Sequence, residues 1–130
     1  MSIDVIGNFL TIIRNGVLIT KPFVIAPYSN MRNAIAQILL DEGFIRSFES
    51  FEQDNKKYLK VYLKYVGGES AIHDITRISK PGRRSYSSIQ DIKPVIGGLG
   101  LSILSTNRGV VSHKKAKEFG VGGEILCTVW

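Results

Sequence analysis

Sulfur chemistry is almost absent from this sequence. Cys127 is the single cysteine among 130 residues, which excludes an intramolecular disulfide and any metal site built from cysteines alone. Histidine is scarce as well: His73 and His113 stand far apart in unlike contexts, and each is expected to be a satisfied or exposed histidine rather than a ligand. No run approaches the roughly 18 uninterrupted apolar residues of a membrane span, and Asp4 stands where a signal peptide carries cations. The chain is therefore expected in the cytoplasm or inside an organelle, away from membranes. No phosphate-loop pattern is present, and "GGLGLS" is followed by Ile103 where a dinucleotide loop needs its third glycine or alanine. Cys127 falls in an apolar strand pattern, where a cysteine behaves as a small hydrophobe, and nothing supplies a third group to orient a Cys127–His113 pair. No enzymatic activity, metal or cofactor is expected.

Acidic residues are also scarce, but only in one part of the chain. Residues 1 to 76 carry eight Lys or Arg and eight Asp or Glu, so they are formally neutral. From residue 77 onward, Arg77, Lys80, Arg83, Arg84, Lys93, Arg108, Lys114, Lys115 and Lys117 face only Asp91, Glu118 and Glu124. The whole net charge of +6 resides there. Such segregation points to one basic face with an anionic partner, or to a solvated basic surface that needs none.

What is present in quantity is regular apolar periodicity, with 44% hydrophobic residues in a chain long enough for a sizeable core. Asp4 caps a helix whose apolar positions Val5, Ile6, Phe9, Leu10, Ile13 and Val17 recur at helical spacing. "FVIA" reads as a strand stopped by Pro27; Ser29 or Asn30 caps a second helix bearing Ile35, Ile38 and Leu39, with Gly43 at its end. "FIRSFESF" and "KYLKVYLKY" form a hairpin, the second strand alternating Leu59, Val61, Leu63 and Tyr65 with Tyr58, Lys60, Tyr62 and Lys64. "VGGES" is the best linker candidate and places a lobe boundary near Gly68.

Beyond it, "AIHDITRI" reads as a strand and "SKPGRRSYSS" as a long turn around Pro81-Gly82. A short helix is expected at Ile89 to Lys93, a strand ending at Leu104, a helix from a Ser112 cap to Phe119 stopped by Gly120, and a final strand in "EILCTVW". The expected architecture is α/β of the α+β kind in two small lobes: a helix-strand-helix-hairpin lobe at 1–67 and a β-rich lobe at 68–130.

Three polar stretches of the basic lobe suit RNA. In "STNRG", Ser105, Thr106 and Asn107 carry groups that donate and accept and so suit base edges and ribose 2′-hydroxyls, Arg108 suits phosphate or stacking, and Gly109 permits close backbone approach. The same residues are also what any tight turn uses. In "SKPGRRSY", Lys80, Arg83 and Arg84 surround a stiff turn, with Tyr86 behind them as a stacking platform. The segment from Ser112 opens a helix with Lys114, Lys115 and Lys117 near its N-terminal amides.

"LSTNRG", "ISKPGRRSY", "GLGLSILS" and the ending "GVGGEILCTVW", with "NFLTIIRNG" and "LLDEGFI" earlier, closely resemble the bacterial and organellar family of small-subunit ribosomal protein eight. The resemblance covers essentially the whole chain in order. It implies a two-lobe, non-catalytic protein that binds the central domain of 16S-type ribosomal RNA directly and helps assemble the platform of the 30S subunit beside neighbouring ribosomal proteins. A regulatory messenger RNA that imitates the ribosomal site is a further partner compatible with it. Carried over by position, the main RNA-contacting turn falls on Ser105, Thr106, Asn107 and Gly109, with Tyr86 and Glu124 lining the same site. Lys80 to Arg84 and the region of Arg14, Asn15, Ser29 and Asn30 would supply backbone contacts. The chain departs from the family pattern at Asn107, usually serine, and at Thr128, commonly tyrosine.

Overall fold

A computed structural model describes residues 4–88 and 100–130. The helix expected at Ile89 to Lys93 and the glycines before Gly100 lie outside the described residues. Among the described residues the fold is α+β, with two larger antiparallel sheets and one small two-stranded sheet between them in sequence. Helix α1 (Val5–Leu18) starts where expected, because Asp4 Oδ1 accepts the Gly7 N–H at 2.9 Å. Strand β1 (Phe23–Pro27) leads to α2 (Asn30–Asp41), whose cap is Ser29 rather than Asn30: the Ser29 hydroxyl accepts the Arg32 N–H at 3.0 Å. Strands β2 (Ile45–Gln53) and β3 (Lys56–Leu63) form the expected hairpin, closed by Asp54 and Asn55. The first sheet has the order β1-β3-β2 and is antiparallel. Its inner face, with Val24, Ala26, Leu59, Val61 and Leu63, buries against Phe9, Leu10 and Ile13 of α1 and Ile35 and Leu39 of α2.

The stretch expected as a linker is a small hairpin. Strands β4 (Tyr65–Val66) and β5 (Glu69–Ser70) pair across Gly67 and Gly68, which take φ of 60° and 82°. Two consecutive positive φ values are what a twist-matched two-residue turn demands, and paired glycines supply them without strain. Buried residues from both sides of this turn join one cluster: Ile75, Leu101, Ile103, Cys127 and Val129 continue the core, and α1 packs against both β1 and β6.

The second sheet contains β6 (Ile75–Arg77), β7 (Tyr86–Ser87), β8 (Leu101–Thr106), β9 (Gly109–Ser112) and β10 (Gly123–Val129). Its order is β6-β10-β8-β9, with β7 paired to β10 beyond the end of β6. Two sequence expectations need correction here. The strand expected to end at Leu104 runs on to Thr106, and the residues after the turn return as β9 instead of leading straight into a helix. Only four residues long and opened by an Asn-Arg turn, β9 carries no Asn-Gly signal and too little alternation to announce itself. Helix α3 (His113–Phe119) follows as expected, capped by Ser112 and stopped by Gly120 at φ 69°. Its Ala116 covers Leu104, with Val111, Val121 and Ile125 around them.

Candidate nucleic-acid interface

Sheet register brings three of the expected residues into one row. On β10, Glu124 lies opposite Ser105 of β8 on one side and Tyr86 of β7 on the other. Directly opposed residues project from the same face, so hydroxyl, carboxylate and phenol stand side by side although they are distant in sequence. Tyr86 is 71% exposed, which leaves its ring available for stacking.

The carboxylate is held firmly. Arg84 Nη1 donates to Glu124 Oε2 at 2.9 Å, and the hydroxyl of buried Ser79 donates to the same oxygen. Ser79 in turn accepts the Ser85 N–H at 3.1 Å, while the Ser85 carbonyl takes the Ile125 N–H at 2.9 Å. Burial alone would raise the pKa of Glu124; the hydrogen bonds from Ser79 and Arg84 and the charges of Arg84 and Arg77 outweigh it, so the pKa lies below the ordinary carboxylate value. The hydrogen bond from Arg84 to Glu124, with the attraction of that charge, raises the pKa of Arg84. Just before this cluster, Lys80 and Arg83 exchange both backbone hydrogen bonds, at 3.0 and 2.9 Å, around Pro81-Gly82. That narrow turn leaves both cations exposed at its shoulders.

The "STNRG" segment is the tip of the β8–β9 hairpin, with Thr106 opposite Gly109. Thr106 Oγ1 accepts the Arg108 N–H at 3.0 Å and donates to the Gly109 carbonyl at 2.8 Å, so its hydroxyl closes the turn. Asn107 is exposed at the tip. Gly123, which sequence reasoning did not single out, completes the arrangement: a Cβ there would collide with the Ser105 carbonyl oxygen. Its signal was a glycine opening a strand in "GVGGE", a mark of close backbone approach.

Other expected residues lie elsewhere. The Arg108 guanidinium sits 4.4 Å from the centroid of the Phe119 ring, and with Lys114 and Lys115 it lines a cleft of about 570 Å³ between α2, β9 and α3. Lys114 pairs with Glu42 at 3.5 Å and Lys115 with Glu118 at 3.4 Å. At the start of α3 the Lys115 N–H is already taken by Ser112 Oγ at 3.2 Å. Arg14 donates to the Ile75 carbonyl, and Asn15 lines a small recess with Lys21 and Ile25. Ser29 is occupied as the α2 cap; Asn30 Oδ1 accepts from the Tyr28 hydroxyl at 3.4 Å. Beside them buried Arg32 donates to the carbonyls of Val5 at 3.0 Å and Pro27 at 2.8 Å, tying the starts of the two helices together.

The remaining candidate chemistry is structural. Cys127 is fully buried, and burial pushes its thiol up to about 12, where no thiolate forms at neutral pH. His113 Nδ1 accepts the Ser102 N–H at 3.1 Å; burial, then Lys114 and Lys117, lower its pKa. Among the described residues no group of His, Cys, Asp and Glu is placed to hold a metal, and no helix is long and apolar enough to cross a membrane.

Comparison with known proteins gives concordant matches. A family model described as ribosomal protein S8 matches residues 4–130. The chain is 46% identical over 127 residues to the small ribosomal subunit protein uS8 of Dictyoglomus thermophilum, covering 98% of this chain and 97% of that protein. It is 44% identical over 138 residues to the uS8 of Thermus thermophilus, across 100% of both chains. A protein named uS8c from Phaeodactylum tricornutum is 46% identical over 129 residues, 98% of each.

Proposed function

The chain belongs to the ribosomal protein S8 family, and from that premise we infer that it is a structural constituent of the small ribosomal subunit that binds ribosomal RNA directly. Its place is the ribosome, in the cytoplasm or in an organelle. On this reading it binds the central domain of the 16S-type RNA, helps to assemble the platform, and adjoins other small-subunit proteins without catalysing a reaction. The work divides between lobes at 1–67 and 68–130, the second of which meets the RNA.

One observation carries the reading: Ser105, Glu124 and Tyr86 form a row on one sheet, close in sequence to Lys80 and Arg83, which among the described residues make no ion pair. Regular A-form RNA hides its base edges in a narrow major groove, so a row of short polar groups beside an exposed ring suits an irregular helix with unpaired bases. Tyr86 would stack on one base, Ser105 and Asn107 would take base edges or 2′-hydroxyls, and Thr106 with Gly109 would hold the turn that presents them. Lys80, Arg83 and Arg84 would meet phosphates and set orientation, because phosphate contacts position and base contacts specify. Arg108, Lys114 and Lys115, on the other side of the hairpin, would add to the attracting field, and Arg14, Asn15, Ser29 and Asn30 would offer peripheral backbone contacts. A messenger RNA folded into the same irregular helix would present the same groups and bind by the same contacts.

Asn107→Ala tests specific readout, since its side chain is exposed. It is expected to weaken binding to a central-domain transcript about tenfold and binding to a random duplex less than twofold. Equal losses on both RNAs would refute readout by the turn.

A further inference from the structure

Ser79 is fully buried behind Glu124, and its hydroxyl is engaged on both sides. It accepts from the Ser85 N–H at 3.1 Å and donates to Glu124 Oε2, the oxygen that also accepts from Arg84 at 2.9 Å. A carboxylate oxygen offers two lone-pair sites, so two donors saturate Oε2. Among the described residues, none donates to Oε1. The Glu124 side chain is 15% exposed, so the remaining acceptor is offered through a narrow opening.

We propose that Ser79 is a positioning residue that fixes how Glu124 meets RNA: by holding Oε2 inside, it leaves Oε1 as a single acceptor for one N–H or O–H donor of an unpaired nucleotide. A freely turning carboxylate presents two parallel acceptors and matches an edge with two adjacent donors, such as the N1–H and N2–H of guanine. With Oε2 filled, that bidentate mode is closed, and selectivity comes from a residue that never touches RNA. The proposal rests on the RNA-binding reading above and goes beyond it in assigning the choice of donor to a buried hydroxyl. Arg84 alone does not do the same work, because its side chain is 49% exposed to solvent, whereas Ser79 is fully buried behind Glu124.

A double-mutant cycle between Ser79→Ala and Glu124→Gln tests it, with affinity measured for a central-domain transcript and for a random duplex of equal length. Ser79→Ala is expected to weaken transcript binding about tenfold, to leave duplex binding unchanged, and to cost nothing further once Glu124 is Gln. Ser79→Thr, which keeps the hydroxyl, is expected to stay within about threefold of the parent, and thermal melting confirms that each variant is folded. If Ser79→Ala does not fold, Ser79→Cys replaces it, keeping the size with a much weaker donor and the same expected loss. Equal losses in the two Glu124 backgrounds would overturn the proposal, because Ser79 would then act only by holding the Ser85 loop. A parent chain that binds the transcript no better than the duplex would instead overturn the RNA-binding reading itself.

Discussion

The two sheets use the same ingredients, lysine or arginine beside tyrosine or phenylalanine, to different ends. On the outer face of the first sheet Lys60 Nζ sits 4.1 Å from the Phe23 centroid, and at the sheet's edge Lys57 Nζ lies 4.0 Å from that of Tyr28, just past the end of β1. Arg46 lies 5.6 Å from the Tyr62 ring, and the Tyr62 hydroxyl donates to Glu49 at 2.8 Å. These cations and rings are already matched to one another. On the second sheet Tyr86 is 71% exposed, and among the described residues no ion pair engages Lys80 or Arg83. A cation beside a ring is thus a nucleic-acid signal only when neither has found the other first. An RNA phosphate or base at the first sheet has to displace an interaction worth about 0.5–1 kcal/mol at each such pair; at the second it displaces water.

The sharpest way to break this contrast is to remove one tyrosine from each sheet. Tyr86→Ala is expected to cost about 1–3 kcal/mol of affinity for a central-domain transcript, the range for one base stacked on an aromatic, with little change in melting temperature. Tyr62→Ala is expected to lower stability by about 1 kcal/mol as its packing disappears and to leave RNA affinity within twofold. Fluorescence titration and thermal melting of the two variants read both quantities, and a Tyr62→Ala loss as large as that of Tyr86→Ala would abolish the distinction.

A smaller effect comes from acid. Glu124 has a folded-state pKa below its ordinary 4.5, so the stability it supplies is present above that value and is lost as pH falls through the folded one. The parent is expected to exceed Glu124→Gln in stability by about 1.5 kcal/mol at pH 7, the low end of the range for hydrogen bonds to a charged group. The gap should begin to shrink as pH falls below 4.5 and should close once pH lies below the depressed folded-state value. Urea melts of both proteins across pH 3 to 7 measure it; a gap constant with pH would mean that the Ser79 and Arg84 contacts do not depend on the ionised carboxylate.

Much of this arrangement was legible in the sequence because local rules decide it. The Asp4, Ser29 and Ser112 caps, the Gly120 stop and the alternation of Leu59, Val61 and Leu63 each express a single short-range preference. The row of Ser105, Glu124 and Tyr86 was reached through family motifs; its geometry depends on strand register, which no local pattern reveals. Ser79 was missed for a related reason. A serine two residues before Pro81 looks like turn chemistry, and only the fold places the Glu124 carboxylate against it. Arg108, Lys114 and Lys115 showed the converse: they read as one basic segment with the turn, yet pairing with Phe119, Glu42 and Glu118 turns them to the α2 side.

Arg108 gives the finest form of the comparison, because within the basic lobe it is arranged like the cations of the first sheet. Arg83→Ala and Arg108→Ala each remove one charge from a turn of the basic lobe, but of the two only Arg108 is seated on a ring. Removing a cation that meets phosphate flattens the dependence of log affinity on log salt by about one unit. Arg83→Ala is expected to show that change, whereas Arg108→Ala is expected to leave the slope unaltered and affinity within twofold, its cost falling on stability at about 0.5 kcal/mol. A slope that falls equally for both would mean that RNA draws Arg108 off Phe119. Engagement in the free protein would then no longer separate the cations that meet RNA from those that do not, and the first sheet would have to be reconsidered by the same measurement, with Lys57→Ala and Lys60→Ala as its probes.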